Sequence, residues 1–339
     1  MEQSIAGDTP VSVRRDLTRT SLKKEELHFD RERARELLGV LYRTFTRDES
    51  HRDVIMQLAP QWAYRPSGLK ECSLDLYRWL WFAGSTDLRE DSGTVYRSHQ
   101  MLWENARGIL PFREINTRLL YHPEVLDWDQ AQMTWALAKC RFGNPRRNIE
   151  WWQRRAHTLW NVWGGDPRKM YQSGSIDGFL SWKDRSEQDP VPGVGPKIAS
   201  LIAIFFEELG MEKVPDAFPV DVHVQSLALS LKLITSKRAG AILNETLEEV
   251  LRKELIQLCR EEGWDRITLS HAMWFLGNRG CRECAKTPHM RQFCPVWDQC
   301  VGRYDTKPYF RMGLWLPYLP PRLKGGEKRI AIEPMPLFE

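Results

Sequence analysis

Apolar residues along this chain recur at intervals of three and four, the spacing that gathers them on one face of an α-helix. Ala34, Leu37, Leu38, Leu41 and Phe45 make one such stripe, and Ile149, Trp152, Ala156, Leu159, Trp160 and Trp163 a second. Ile198, Leu201, Ile202, Phe205 and Leu209 make a third, and Val224, Leu227, Ala228 and Leu231 continue the pattern. Residues whose side chains cap helix N-termini stand at several helix starts: Ser73 before Leu74, Asp127 before Trp128, Ser175 before Ile176 and Asp265 before Ile267. No segment shows the alternation of a half-buried strand, and no repeat of solenoid period is visible. The pattern predicts an all-α protein of roughly ten helices.

The ends read differently. Residues 1–28 are mixed in charge and predict a flexible arm. Residues 305–339 carry Pro317, Pro320, Pro321, Pro334 and Pro336 with Gly325 and Gly326, and predict an extended or loosely docked tail. At 339 residues with 42% apolar content, the chain can bury a large core and divide into two subdomains. The start lacks the apolar run of a signal peptide, and the longest strongly apolar stretch, around Leu201–Phe206, is too short to span a bilayer. A soluble, intracellular monomer without a membrane partner is expected. The net charge of +4 neither demands nor excludes nucleic acid, since a local patch matters more than the total. Basic pairs occur at Arg14-Arg15, Lys23-Lys24, Arg146-Arg147 and Arg154-Arg155, each readable as a patch or as a solvated helix face.

Two strings carry candidate chemistry. Residues 191–197 read Val-Pro-Gly-Val-Gly-Pro-Lys, and residues 220–224 read Val-Asp-Val-His-Val. Gly193 and Gly195 permit positive φ and close backbone approach, and the N–H groups of Gly193, Val194 and Gly195 with the helix start behind them suit a phosphate oxygen. A short helix through Ile176, Phe179 and Leu180 and a polar loop, Asp184–Pro190, precede the turn. An ordinary turn between two helices is the plainer reading. Lys197 is either one more phosphate contact or an amine nucleophile for C1′ of a deoxyribose. Asp221 can cap the following helix, stabilise positive charge on a sugar, or do both. His223 reads as structural.

The chain has seven cysteines, four of them between 281 and 300. Cys281, Cys284, Cys294 and Cys300 follow C-x2-C-x9-C-x5-C, a density that suits a 4Fe–4S cluster or structural zinc, with His289 as a spare ligand. A loop around either centre would turn Arg279, Arg282, Lys286 and Arg291 toward phosphates. Cys72, Cys140 and Cys259 read as buried apolar residues.

In this order the hairpin, the Val-Asp-Val-His-Val string and the downstream cysteines resemble the helix-hairpin-helix DNA glycosylase superfamily, closest to endonuclease III, over roughly residues 70–303. Residues 80–87, Leu-Trp-Phe-Ala-Gly-Ser-Thr-Asp, resemble the end of an early barrel helix, and Arg141–Ile149 the loop and helix before the hairpin. The resemblance implies two helical subdomains with the helix-hairpin-helix between them. One is a six-helix barrel-like unit, 74–203. The other, 29–73 with 204–304, holds the terminal helices and the cluster loop. It implies base excision repair of double-stranded DNA by nucleotide flipping. Lys197 falls at the Schiff-base lysine of bifunctional members, which also cleave the strand as abasic-site lyases, and Asp221 at the essential aspartate. Three departures stand out. Gly84 replaces the Gln that fills the gap left by the flipped base, Leu209–Pro219 is an insertion, and the second cysteine ligand has moved to Cys284. Monofunctional glycosylase action, with Lys197 only binding phosphate, and non-catalytic nucleic-acid binding are the other expectations. The excised base is not specified.

Overall fold

The computed structural model describes residues 27–47, 56–87, 92–104, 116–142, 145–236, 241–242, 245–281, 294–300 and 314–315. The helices are α1 (Arg31–Thr46), α2 (Pro60–Ala63), α3 (Leu74–Thr86), α4 (Ser92–Glu104), α5 (Gln130–Lys139) and α6 (Pro145–His157). They continue as α7 (Ile176–Asp184), α8 (Pro196–Glu208), α9 (Val222–Ser230), α10 (Glu245–Glu262) and α11 (Arg266–Phe275). The protein is all-α, as its periodicity predicts. Two short antiparallel pairs, absent from that reading, join distant segments: β1 (Leu27–Phe29) with β2 (Ile234–Ser236), and β3 (Ala241–Ile242) with β4 (Leu314–Trp315). Thus residues 27 and 28, expected in the arm, and 314 and 315, expected in the tail, are paired; residues 1–26 lie outside the described residues.

The capping signals resolve locally. Ser73 accepts from the Leu76 N–H, Ser175 from Gly178 and Asp265 from Thr268, each starting a helix. Asp127 does not cap. It ends a 3-10 turn, and α5 starts two residues later on Asp129, whose side chain and that of Gln132 form a reciprocal capping box. α6 and α11 each run on into a π turn, Thr158–Val162 and Leu276–Gly280.

Two hydrophobic cores form. The first gathers buried residues from Leu69 to Ala217, around Trp79, Trp81 and Phe82 of α3 and the apolar face of α8. The second joins α1 to residues 218–296, with α9, α10 and α11 around it. α8 stays whole in the first core, which also takes Leu69. Packing passes between cores at Ala217–Phe218, and the apolar stripe of α8 is continuous within the first core to Leu209.

The segment 209–219 ties the cores together. Glu207, at the end of α8, pairs with Arg266 of α11 and accepts the Val214 N–H at 2.9 Å, while Arg266 Nη1 donates to the Ala217 carbonyl at 2.9 Å. Asp216 accepts the N–H groups of Ile176 and Asp177 at the start of α7, and Arg252 of α10 donates to the Asp216 carbonyl and to Asp177.

Inside the first core, His99 of α4 is fully buried, stacked on Trp152 at 5.4 Å and 15°. Its Nε2 lies 2.7 Å from the Thr86 hydroxyl and its Nδ1 2.7 Å from the Tyr121 hydroxyl. Burial, helped by Arg155, holds this imidazole well below its ordinary pKa of 6.5, so it stays neutral in the fold. Below about pH 6.5 only the unfolded chain takes up the proton, and stability falls with pH by up to about 1.4 kcal/mol per unit until the folded imidazole titrates. His99→Gln should remove this component of acid destabilisation. Urea melts from pH 7 to pH 5 measure it, and an unchanged slope in the variant would contradict it.

Candidate active site

The hairpin string forms a tight turn. The Val194 N–H donates to the Val191 carbonyl at 3.2 Å, with Pro192 second and Gly193 third at φ +80°, the pattern of a type II β-turn. Val191 and Val194 are fully buried and pin the turn to the first core. A Cβ on Gly193 would lie 2.6 Å from the Trp151 ring, so glycine is required by space as well as by φ. Gly195 is not in the left-handed region. It is the extended N-cap of α8 at φ −98°, and nothing lies within 4 Å of where its Cβ would stand. Among the described residues, α8 begins without a side-chain cap and without an acidic residue in its first turn. Its first N–H groups are thus left for an outside acceptor.

Behind the turn sits a buried cation. Arg155, expected at the surface with Arg154, is fully buried, and its Nε and Nη2 donate to the Pro192 carbonyl at 3.1 and 2.5 Å. Burial pulls its pKa down to about 9, partly opposed by Asp189, so it is charged at neutral pH. Arg147 and Arg155 both lie over the Trp151 ring, at 5.1 and 5.4 Å. Trp151 therefore braces the hairpin, whereas Trp81 and Trp152 are buried in the first core.

Lys197 and Asp221 line one cleft between the cores, with an empty volume of about 570 Å³ counted out to solvent. Leu201, Phe205 and Trp274 supply apolar walls, and Asp87, Tyr96 and His271 polar ones. Lys197 Nζ donates to the Asp87 carbonyl at 3.0 Å. Asp87 caps the end of α3, and its carboxylate takes the Ser92 hydroxyl at 3.1 and 2.9 Å. Asp221 caps α9: Oδ1 accepts the His223 and Val224 N–H groups, each at 2.8 Å, leaving Oδ2 outside the cap. The structural and the chemical roles of Asp221 are therefore compatible. His271 Nε2 meets Glu208 Oε1 at 2.5 Å, and Glu208 Oε2 accepts from Trp62 at 3.0 Å.

Gly84 stands away from this cleft's polar groups. It is buried on the face of α3 that meets α8, and a Cβ there would lie 2.9 Å from Ile202. Glycine at 84 is thus explained by helix packing, and no side chain there could leave the core without parting the two helices.

Of the four cysteines, Cys284 lies outside the described residues, as do His289, Arg282, Lys286 and Arg291. Cys281 follows the π turn 276–280, which packs on α9. Cys294 and Cys300 flank a double turn closed by Trp297 N–H to the Cys294 carbonyl at 3.1 Å and Cys300 N–H to the Trp297 carbonyl at 3.0 Å. All three are half-buried against the second core, and Arg33 of α1 holds the Gln299 carbonyl at 3.0 Å. Among the described residues, no three His, Cys, Asp or Glu side chains gather as a metal site. The donors suit a thiolate-bound centre in chemistry, and the fourth belongs to the segment not described. Cys140 and Cys259 are buried as expected, with pKa values pushed up by burial to about 11 and 12. Cys72 is not; it is exposed at φ +54°, just before the Ser73 cap.

Compared with family profiles, curated proteins and solved structures, the chain gives no match. Among the described residues, no helix is long and apolar enough to cross a membrane.

Gly84→Gln should destabilise the protein by at least about 1–3 kcal/mol through overpacking against Ile202. Urea denaturation reads this directly, and a neutral result would mean that α3 and α8 are less closely packed.

Proposed function

We propose that this chain is a DNA base-excision glycosylase with abasic-site lyase activity. The observation that carries the reading is the meeting of Lys197 and Asp221, from separate helices, in one cleft beside an uncapped helix N-terminus. The N–H groups at the start of α8, backed by buried Arg155, suit a backbone phosphate of double-stranded DNA. Docked there, the strand would present a flipped nucleotide to the cleft. The Lys197 amine, once deprotonated, adds to C1′ as the glycosidic C–N bond breaks and the base leaves with a proton. Asp221 offsets the positive charge that builds on the sugar. Proton transfer from the bound amine to O4′ opens the C1′–O4′ bond to give the protonated imine, and loss of the C2′ hydrogen that it acidifies expels the 3′ phosphate.

The bond from Lys197 to the Asp87 carbonyl supports a second reading, monofunctional excision in which Lys197 only positions DNA. Borohydride trapping with an abasic-site duplex separates the two. Wild type should form a covalent adduct and Lys197→Ala none, while Asp221→Asn should lower base release by about a hundredfold or more. Base release without trapping would leave the monofunctional reading. Equal behaviour of wild type and Asp221→Asn on every damaged base, with salt-sensitive binding retained, would leave a non-catalytic binder.

For the four cysteines we propose a 4Fe–4S cluster, with structural zinc as the alternative. Such a centre would supply structure to the 281–300 loop and not base-removal chemistry. Anaerobically purified protein should be brown and contain iron and sulfide, and Cys300→Ser should lose both the colour and thermal stability. A colourless preparation containing zinc would reverse the assignment.

A further inference from the structure

We infer that Gln61 and Tyr96 are the specificity-determining residues of the cleft, a pair of hydrogen-bond donors that reads carbonyl oxygens on the base taken into it. The inference rests on the glycosylase reading. Both residues line the cleft that holds Lys197 and Asp221. Gln61 is 3% exposed and Tyr96 1%, yet among the described residues Gln61 Nε2 and the Tyr96 hydroxyl have no hydrogen-bond partner. Burying an unpaired polar group costs stability, so two such groups on one wall call for a partner from outside.

Their placement is built. Gln61 is on α2, which starts on Pro60 and packs against α4, the helix of Tyr96. The Tyr96 ring is held edge-on to Trp79 at 6.0 Å and to Phe205 at 6.2 Å. Burial, with the Asp87 and Glu208 carboxylates nearby, holds the phenol well above its ordinary pKa, so it keeps its proton and donates. The Gln61 amide nitrogen is a donor at any pH. Leu201, Phe205 and Trp274 give the cleft apolar walls of the kind on which a flat base stacks. Two donors favour a base that offers carbonyl acceptors over an amino-bearing one such as adenine.

The test uses the full chain with Gln61→Leu and Tyr96→Phe, which keep shape and remove the donors. Single-turnover excision is followed on duplexes carrying uracil, 5-hydroxyuracil, 8-oxoguanine or adenine. Binding to a duplex with a tetrahydrofuran abasic analogue, which has no base to read, is measured alongside. Wild type should release a carbonyl-bearing base, and each variant should lose about tenfold or more of that rate. Tetrahydrofuran binding should be unchanged and Tm equal or higher, because an orphaned polar group has been replaced by an apolar one. Preference for adenine, unchanged excision rates, or a lower Tm with parallel loss of tetrahydrofuran binding would each overturn the inference. A wild type that excises bases while the variants match it sinks this inference alone. A wild type that neither binds the analogue nor releases any base sinks the glycosylase reading, and this inference with it.

Discussion

The close approach of α3 to α8 at Gly84 is the contact on which the cleft depends. With no Cβ at 84, Ile202 can seat against the α3 backbone, and the two helices share the centre of the first core. Their contact sets the end of α3 near the start of α8, so the Asp87 carbonyl can receive Lys197 Nζ. The end of α3 is fixed in turn by Thr86, held through neutral His99 to Tyr121. Packing of two apolar helices thus positions an amine that has to be held in a polar cleft.

The second constraint is ionic. Lys197 comes from one core and Asp221 from the other, so their separation depends on how the cores are locked. The Glu207–Arg266 pair is nearly buried, and Val214 N–H and the Ala217 carbonyl satisfy further atoms of the two side chains. Removing one partner of such a pair costs about 3–5 kcal/mol, because the other charge is left buried alone. The segment 209–219, which reads as an insertion, is therefore the clamp between the cores. Asp216 adds to it by capping α7 and meeting Arg252.

These two constraints produce a site with unequal parts. The hairpin turn is rigid, with buried valines on either side and a guanidinium bonded to its carbonyl. The cleft is polar on the wall made by α2 and α4 and apolar on the wall made by α8 and Trp274. A rigid grip beside a slot of mixed character suits a ligand with a charged backbone and a flat, partly polar ring.

Much of this was legible in the chain. The 3.6-residue stripes of α1, α6, α8 and α9 needed only periodicity, since burial of one face demands it. The type II turn followed from Pro192 and Gly193, because few other residues tolerate those dihedrals, and the Asp221 cap from its place before an apolar run. Local chemistry determined these features, and tertiary contacts did not alter them. The rest depended on neighbours far along the chain. Arg155 reads as surface charge, yet the Pro192 carbonyl draws it inside. Gly84 reads as a lost functional residue, and only Ile202 of α8 explains it. Gln61 and Tyr96 belong to no motif; they meet at the cleft because α2 folds onto α4. The sequence by itself determined where most helices begin, which faces they bury and that a tight turn follows Val191. Only the tertiary structure decided which polar side chains share a cleft, because that is set by long-range packing and has no local signature.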